Sequence, residues 1–213
     1  LDVGCGIGGS SRYLSRKLNA EVIGVTLSPV QVERAREITQ QNHITQPLLF
    51  MVEDALSPSF PPESFDLIWA LESAEHIPRK SKLLWNWHQL LKPGGKVLFA
   101  TWCHRPVPPE LNTREQQQLH QLYEVFSLSP LISMDMYGAL MEDVGFRNIE
   151  LADWSAAVAP FWNAVIRKTR NPLNWIKILR SGKLVRNSVK GVKLMRELYK
   201  TGLIRFVVAR GVK

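Results

Sequence analysis

Along the first two-thirds of the chain, short apolar runs alternate with longer stretches in which apolar residues recur every three or four positions. The short runs read as strands at residues 1–3, 21–26, 48–53, 65–71 and 96–102, and the run at 65–71 is apolar enough to be buried on both faces. The longer stretches read as helices. One covers 10–18, with Ser10 or Ser11 near its cap. A second opens at Ser28-Pro29, with proline at a favoured first-turn position, and continues to Gln41. A third runs from about Ser81 to Leu91 and is stopped by Lys92-Pro93-Gly94-Gly95. Such alternation predicts βαβ units and a doubly wound α/β fold around a mostly parallel sheet.

Beyond Trp102 the pattern loosens. Residues 112–126 and 134–144 read as helices, the second ended by Gly145, and 148–154 and 204–210 read as two further strands. The segment between these strands, 155–202, is far longer than a hairpin turn needs. It reads as a helical cap over the ligand face. The expected organisation is therefore a core over 1–154, a cap over 155–203 and a last core strand over 204–213, with no internal repeat or low-complexity segment.

Composition narrows the class. With 213 residues, 45% of them apolar, the chain can bury one good core. No apolar run is long enough to span a bilayer and no signal peptide is visible. The start at Leu1-Asp2-Val3-Gly4, without methionine and inside a strand, predicts that a segment precedes it. Two cysteines, Cys5 and Cys103, support neither a disulfide framework nor a zinc site, so a reducing intracellular compartment is expected. The net charge of +8 is uneven: residues 160–213 hold 14 Lys or Arg against one acid, Glu197, whereas residues 1–159 hold 13 basic and 18 acidic residues. A basic tail on a mildly acidic core points to a polyanion, either nucleic acid or an anionic membrane surface.

The strongest local signal is Asp2-Val3-Gly4-Cys5-Gly6-Ile7-Gly8-Gly9. A strand runs straight into a glycine loop and then a helix, so the backbone can approach a bound nucleoside closely. A Gly-x-Gly pattern alone also fits NAD sites and plain tight turns. Here an acid, Asp2, ends the strand. It would orient the loop or meet a cationic amino group, and a phosphate site would not want that charge.

This stretch and the later strands resemble class I S-adenosylmethionine-dependent methyltransferases. The resemblance implies a seven-stranded sheet whose cofactor lies across the carboxyl ends of the first four strands. It implies that Asp2, Gly4 and Gly6, with Gly8 in the same loop, hold the methionine end of S-adenosyl-L-methionine, and that Asp54 and Ala55 bind adenine. The family usually places an acid after the second strand for the ribose. This chain has Thr26-Leu27-Ser28, so a hydroxyl or backbone contact at Thr26 and Leu27 is expected instead. Six segments carry the likeness further, to gamma-tocopherol methyltransferases: Leu27-Ser28-Pro29-Val30-Gln31, Glu72-Ser73-Ala74-Glu75-His76, Thr101-Trp102-Cys103-His104-Arg105, Asp153-Trp154-Ser155, Val158-Ala159-Pro160-Phe161-Trp162 and Tyr199-Lys200-Thr201-Gly202-Leu203-Ile204-Arg205-Phe206. Ala74 and Ile77 stand where that family more often has Gly and Met. The resemblance implies methylation of a chromanol or quinol ring bearing a prenyl-derived tail. The alternative within the class is N-methylation of an indole-alkaloid-like amine.

Methyl transfer from a sulfonium is an in-line displacement, so positioning carries much of the acceleration. A phenol ring becomes nucleophilic as phenolate, which calls for a general base. Residues at the carboxyl ends of the fourth and fifth strands offer Glu75 and His76, then His104, with Glu72 read as a contact to the cofactor loop. For each base candidate, capping a helix or satisfying a strand end competes with catalysis. His43, His88 and His120 lie in or beside helix patterns and read as surface or packing residues, and Cys103 follows a strand with no obvious base-paired role, so a nucleophilic thiol is not expected. In the tail, Phe161, Trp162, Val165, Ile166, Trp175, Ile176 and Leu179 interleave with Arg167, Lys168, Arg170, Lys177 and Arg180. That mixture suits a helix lying in a membrane interface, or a packed cap with a basic outer side. A catalytically silent or RNA-binding module is the remaining class, but no recognised RNA module is present, so no nucleic-acid partner is expected.

Overall fold

The computed structural model describes residues 1–42, 44, 46–169 and 183–213. Strands β1 (Asp2–Val3), β2 (Val22–Thr26), β3 (Leu48–Val52), β4 (Phe65–Leu71), β5 (Leu91–His104), β6 (Arg147–Asp153) and β7 (Ile204–Val212) form one seven-stranded sheet in the order β3-β2-β1-β4-β5-β7-β6. From β3 across to β5 neighbours are parallel, with Asp2 paired to Gly24 on one side and to Trp69 on the other. The chain moves outward from β1 to β3, then jumps back to place β4 on the other side of β1. That reversal is the point where open α/β sheets leave a crevice at the carboxyl ends of their strands. Helices α1 (Gly9–Leu18), α2 (Pro29–Gln41), α3 (Lys80–Leu90), α4 (Thr113–Phe126), α5 (Met134–Asp143), α6 (Ser155–Thr169) and α7 (Lys183–Thr201) complete the described elements, with a single 3-10 turn over Ala74–His76. The chain divides into two compact units, one of residues 1–101, 138–151 and 208–213, the other of 102–137 and 152–207.

In the first unit the expected elements form for identifiable local reasons. Ser28 caps α2 by accepting a hydrogen bond from the Gln31 N–H, with Pro29 at the first helical position. Cys5, Val32, Ala35 and Phe50 are buried together, with Leu48 packed against them. On the other side of β1, Ile68, Leu83, Leu84, Val97 and Phe99 are buried, and the Trp87 ring lies 5.4 Å from that of Phe99. Two expectations need correction. Neither Ser10 nor Ser11 caps α1: the cap is Gly8 without a side-chain bond, and both hydroxyls are drawn instead to Asp2. The strand expected over 96–102 begins at Leu91, directly after α3. Leu91 pairs with Phe65 and Lys96 with Leu67, so Lys92-Pro93-Gly94-Gly95 bulges out between two paired segments. The Pro-Gly-Gly sequence ends the helix without ending the pairing.

The second unit is built on aromatic packing. Trp162 lies 5.9 Å from Trp102, 6.4 Å from Phe126 and 6.3 Å from Tyr199, which ties α6 to the end of β5, to α4 and to α7. Trp162 is only 6% exposed, so of the two alternatives it is a residue of a packed core and not an interfacial anchor. Phe161 beside it is exposed. Trp175, Ile176, Leu179, Arg170, Lys177 and Arg180, like His43, lie outside the described residues. Asn112 and Glu115 form a reciprocal capping box at the start of α4, and Arg105 donates to both carboxylate oxygens of Glu115 and to the carbonyls of Pro106, Pro109 and Glu110. A single guanidinium thus fixes the loop between β5 and α4. Helices α4 and α7 approach closely at Gly191, where an added Cβ would sit 2.5 Å from Val125 Cγ1. Gly191→Val is expected to lower stability by about 1–3 kcal/mol through overpacking. A denaturant midpoint unchanged from the parent would show that the two helices can separate freely. Among the described residues no helix is long and apolar enough to cross a membrane.

Candidate active site

The glycine loop, the ends of β2 and β4 and the residues after β3 surround one cleft of about 350 Å³ in the first unit. Of the residues picked from sequence, Gly4, Gly6, Thr26, Leu27, Asp54, Ala55, Glu72 and His76 line it together. The backbone explains the glycines. Gly4 and Gly6 have φ of 76° and 55°, the left-handed region that glycine enters without penalty. At Gly4 a Cβ would lie 2.2 Å from Ser73 Cβ, so this glycine lets β1 and the end of β4 touch. At Gly6 a Cβ would meet nothing within 4 Å: the position faces open cleft, as a cradle for a bound nucleoside requires. Gly8 does not line the cleft and makes room instead for the Phe50 ring.

Asp2 also stands behind the cleft. It is buried, and its Oδ2 accepts hydrogen bonds from Ser10 Oγ and Ser11 Oγ, each at 2.6 Å. Through Oδ2 the carboxylate therefore holds the start of α1 against the end of β1. Burial raises its carboxyl above the ordinary value, opposed by the two serine hydroxyls.

Gln31, Glu53, Ser73 and Ile77 line the cleft without having been singled out. Thr26 Oγ1 donates to Gln31 Oε1 at 2.7 Å, which leaves the amide N–H groups of Gln31 to face outward as donors. The signal available was the spacing: a residue three positions after a helix cap returns to the strand end that precedes the cap. Glu53 is turned to Ser59, whose N–H and hydroxyl both donate to it. Asp54 accepts from the Leu56 N–H at 2.8 Å, and Asn86 donates to the Ala55 carbonyl at 2.8 Å, so the loop after β3 is held from both ends. Ser73 Oγ donates to the Val3 carbonyl at 2.7 Å. Glu72 lies between, with φ of 50°, a conformation that a residue with a side chain adopts at some strain.

Glu75 does not line this cleft; it follows in the 3-10 turn and is 1% exposed. Thr101 Oγ1 donates to Glu75 Oε2 at 2.8 Å. Burial pushes the Glu75 carboxyl up to about 7, with the Thr101 hydroxyl and Lys80 opposing. His76, next in the chain, is exposed to the cleft. His104 belongs to the second unit. It ends β5, is 8% exposed, and its Nδ1 lies 2.7 Å from the Arg105 carbonyl. A carbonyl only accepts, so Nδ1 carries the proton and Nε2 is the basic nitrogen. Of the other histidines, His88 packs edge-on to Phe146 and His120 pairs with Glu124 on an exposed surface, as expected of packing and surface residues.

The raised Glu75 carboxyl has a measurable consequence for stability. Between the unfolded value near 4.5 and the folded value of about 7, the folded chain holds a proton that the unfolded chain has lost. Stability contributed by this group is therefore full below pH 4.5 and falls as pH rises to 7, by an amount on the order of 3 kcal/mol. Denaturant titrations from pH 4.5 to 7.5 should show that decline in the parent and a shallower one in Glu75→Gln. Parallel profiles would mean that Glu75 titrates as an ordinary carboxylate.

The sheet order, the glycine loop and the cleft at the strand ends define a nucleoside-binding α/β domain of the class I methyltransferase type. Residues 1–99 match the family model of a methyltransferase domain. The fold matches Haemonchus contortus phosphoethanolamine N-methyltransferase 2, solved with S-adenosyl-L-methionine, at a TM-score of 0.84 and 21% identity, covering 100% of this chain and 47% of that one. The chain is 42% identical over 212 residues to a chloroplastic tocopherol O-methyltransferase of Arabidopsis thaliana, covering 97% of this chain and 60% of the relative. It is 35% identical over 221 residues to a 2-methyl-6-phytyl-1,4-hydroquinone methyltransferase of Synechocystis, covering 100% of this chain and 68% of the relative. This chain belongs to the tocopherol methyltransferase-like family of class I S-adenosylmethionine-dependent methyltransferases. It spans about 60% of the length of the plant relatives.

Proposed function

We propose that the protein transfers a methyl group from S-adenosylmethionine to the ring of a tocopherol-type prenyl lipid, a chromanol or hydroquinone with a long apolar tail. The likeness at 42% identity along nearly the whole chain to a tocopherol methyltransferase carries this reading. The cleft's residues fit the cofactor. The open face at Gly6, with Gly4, receives the methionine end, Thr26 and Gln31 reach the ribose, and Asp54 and Ala55 receive adenine, while Glu72 closes the loop side. Asp2 and Gly8 shape that loop from behind. When bound, the cofactor supplies a methyl group already activated by its sulfonium charge.

The chain's own contribution is a base. We assign Glu75 to take the phenolic proton of the acceptor: it lies between the cleft-lining Ser73 and His76, and a carboxyl near 7 can exchange protons at neutral pH; once the ring carbon carries the methyl group, that carbon's own proton is lost and the phenolate is reprotonated. His76 holds the acceptor from the cleft side, and His104 Nε2 is the second candidate base. The test uses the full-length protein with methyl-labelled cofactor and a panel of tocopherols, prenyl hydroquinones and indole amines. Label on a tocopherol or hydroquinone ring is expected; label confined to indole amines would overturn the assignment in favour of N-methylation.

The positive charge of residues 160–213 supports a further part of the proposal, that the enzyme meets its substrate at an anionic membrane surface, in a plastid as the plant relatives' chloroplastic names indicate. Each Lys or Arg near such a surface contributes about 1 kcal/mol. Co-sedimentation with anionic vesicles at low salt should be strong and should be largely lost at high salt, where screening shortens. Absence of binding to anionic vesicles at low salt would remove the membrane role.

A further inference from the structure

Directly beneath Glu75 a buried lysine does what a helix cap does elsewhere. Lys80 begins α3 and is 5% exposed. Its Nζ donates to the carbonyls of Ala74 at 2.7 Å, Glu75 at 3.3 Å and Ile77 at 2.5 Å. An ammonium has three protons, and here three backbone carbonyls around the 3-10 turn receive them. The Ala74 carbonyl also accepts from the Ile77 N–H at 3.2 Å, so the ammonium adds a second donor there and supplies Glu75 and Ile77 at the end of the turn. An uncharged side chain of similar length would fill the volume but lose all three hydrogen bonds, and a buried charge is expensive to keep unless it is used.

Thr101 acts on the same residue from the sheet. It is fully buried on β5, and its hydroxyl is donated to Glu75 Oε2. Glu75 is therefore held twice, by its backbone through Lys80 and by its carboxylate through Thr101. The two contacts come from different elements, so the turn is fixed both against α3 and against the sheet.

We propose that Lys80 and Thr101 are positioning residues for Glu75: the ammonium clamps the backbone of the turn and the hydroxyl aims the carboxylate. Neither need touch cofactor or acceptor. The inference rests on the reading of Glu75 as the base, and the test separates the two. Thr101→Val and Lys80→Met, in the full-length enzyme with γ-tocopherol as acceptor, should each lower kcat roughly 10- to 100-fold, the range for removing a hydrogen bond to a charged group. KM for S-adenosylmethionine should stay within about threefold of the parent, since an effect confined to the acceptor chemistry leaves cofactor binding alone. Thr101→Ser, which keeps the hydroxyl, should recover most of the rate.

The decisive arm is a double-mutant cycle. If both residues act through Glu75, adding Thr101→Val or Lys80→Met to Glu75→Gln should lower single-turnover rates no further. Multiplicative losses in the double variants would overturn the positioning role while leaving Glu75 as the base. Near-parental turnover of Glu75→Gln alone would overturn the base reading itself. Should Lys80→Met melt too low to assay, Thr101→Val with its serine rescue decides the proposal: a valine variant at the parental rate refutes it.

Discussion

Glu75→Gln is expected to lower kcat by about two to four orders of magnitude, the usual range for removing a positioned acid or base. The substitution is nearly isosteric, so the hydrogen bond from Thr101 can still be accepted at the amide oxygen and the turn should survive. What disappears is the capacity to take a proton. The Kd for S-adenosylmethionine, read by calorimetry, should change less than about threefold, because Glu75 stands outside the residues lining the cleft. The pH profile of kcat in the parent should rise as the carboxyl ionises near 7, and the variant's residual rate should lose that rise. A variant with parental turnover would move the role of base to His76 or His104, and His104→Ala would then be the substitution to make.

The second large effect is structural. Gly4→Val is expected to destabilise the first unit by at least about 3 kcal/mol, combining a strained backbone with overpacking at a buried contact. The added Cβ alone would fall 2.2 Å from Ser73 Cβ, and the φ of 76° is hostile to a β-branched residue. Gly6→Ala provides the contrast, since its methyl group enters open cleft. That variant should cost about 1 kcal/mol of stability for its positive φ, yet weaken cofactor binding much more than it weakens the fold. Thermal melts with and without S-adenosylmethionine separate the two: Gly4→Val should melt far below the parent, whereas Gly6→Ala should lose chiefly the ligand-induced shift. A Gly4→Val protein with a parental melt would show that β1 and the end of β4 are not in the contact described.

Much of this architecture could be read from the chain because its local signals agree. The run Phe65–Leu71 is a strand with those limits, and Ser28-Pro29 opens α2 where capping chemistry says it should. The glycine loop was legible for the same reason, since a strand end, positive-φ residues and a helix start fall within nine positions. What escaped was tertiary. Nothing in Ser10-Ser11 says that their hydroxyls serve a carboxylate eight and nine residues back, in preference to a helix end. Gln31 reads as a helix surface residue until α2 folds back over β2 and brings it to Thr26. Trp162 reads equally as a membrane anchor or as part of a packed cap, and only the packing of α4, α6 and α7 shows that its partners are aromatic side chains. Lys80 gives no sign of being buried, because lysine at the first turn of a helix is ordinarily solvated.

The buried Glu75 also sets terms for anyone who would improve this protein. Under the proposed mechanism its ionised form is the one that would remove a proton, and it is the form the interior tolerates least, so the chain would be least secure at the pH where turnover is expected to be highest. A library screened for heat resistance alone, above pH 7, would enrich Gln or Met at position 75 and return robust, inert scaffolds. Selection for durability therefore has to be run with turnover as a second gate, or with position 75 held fixed.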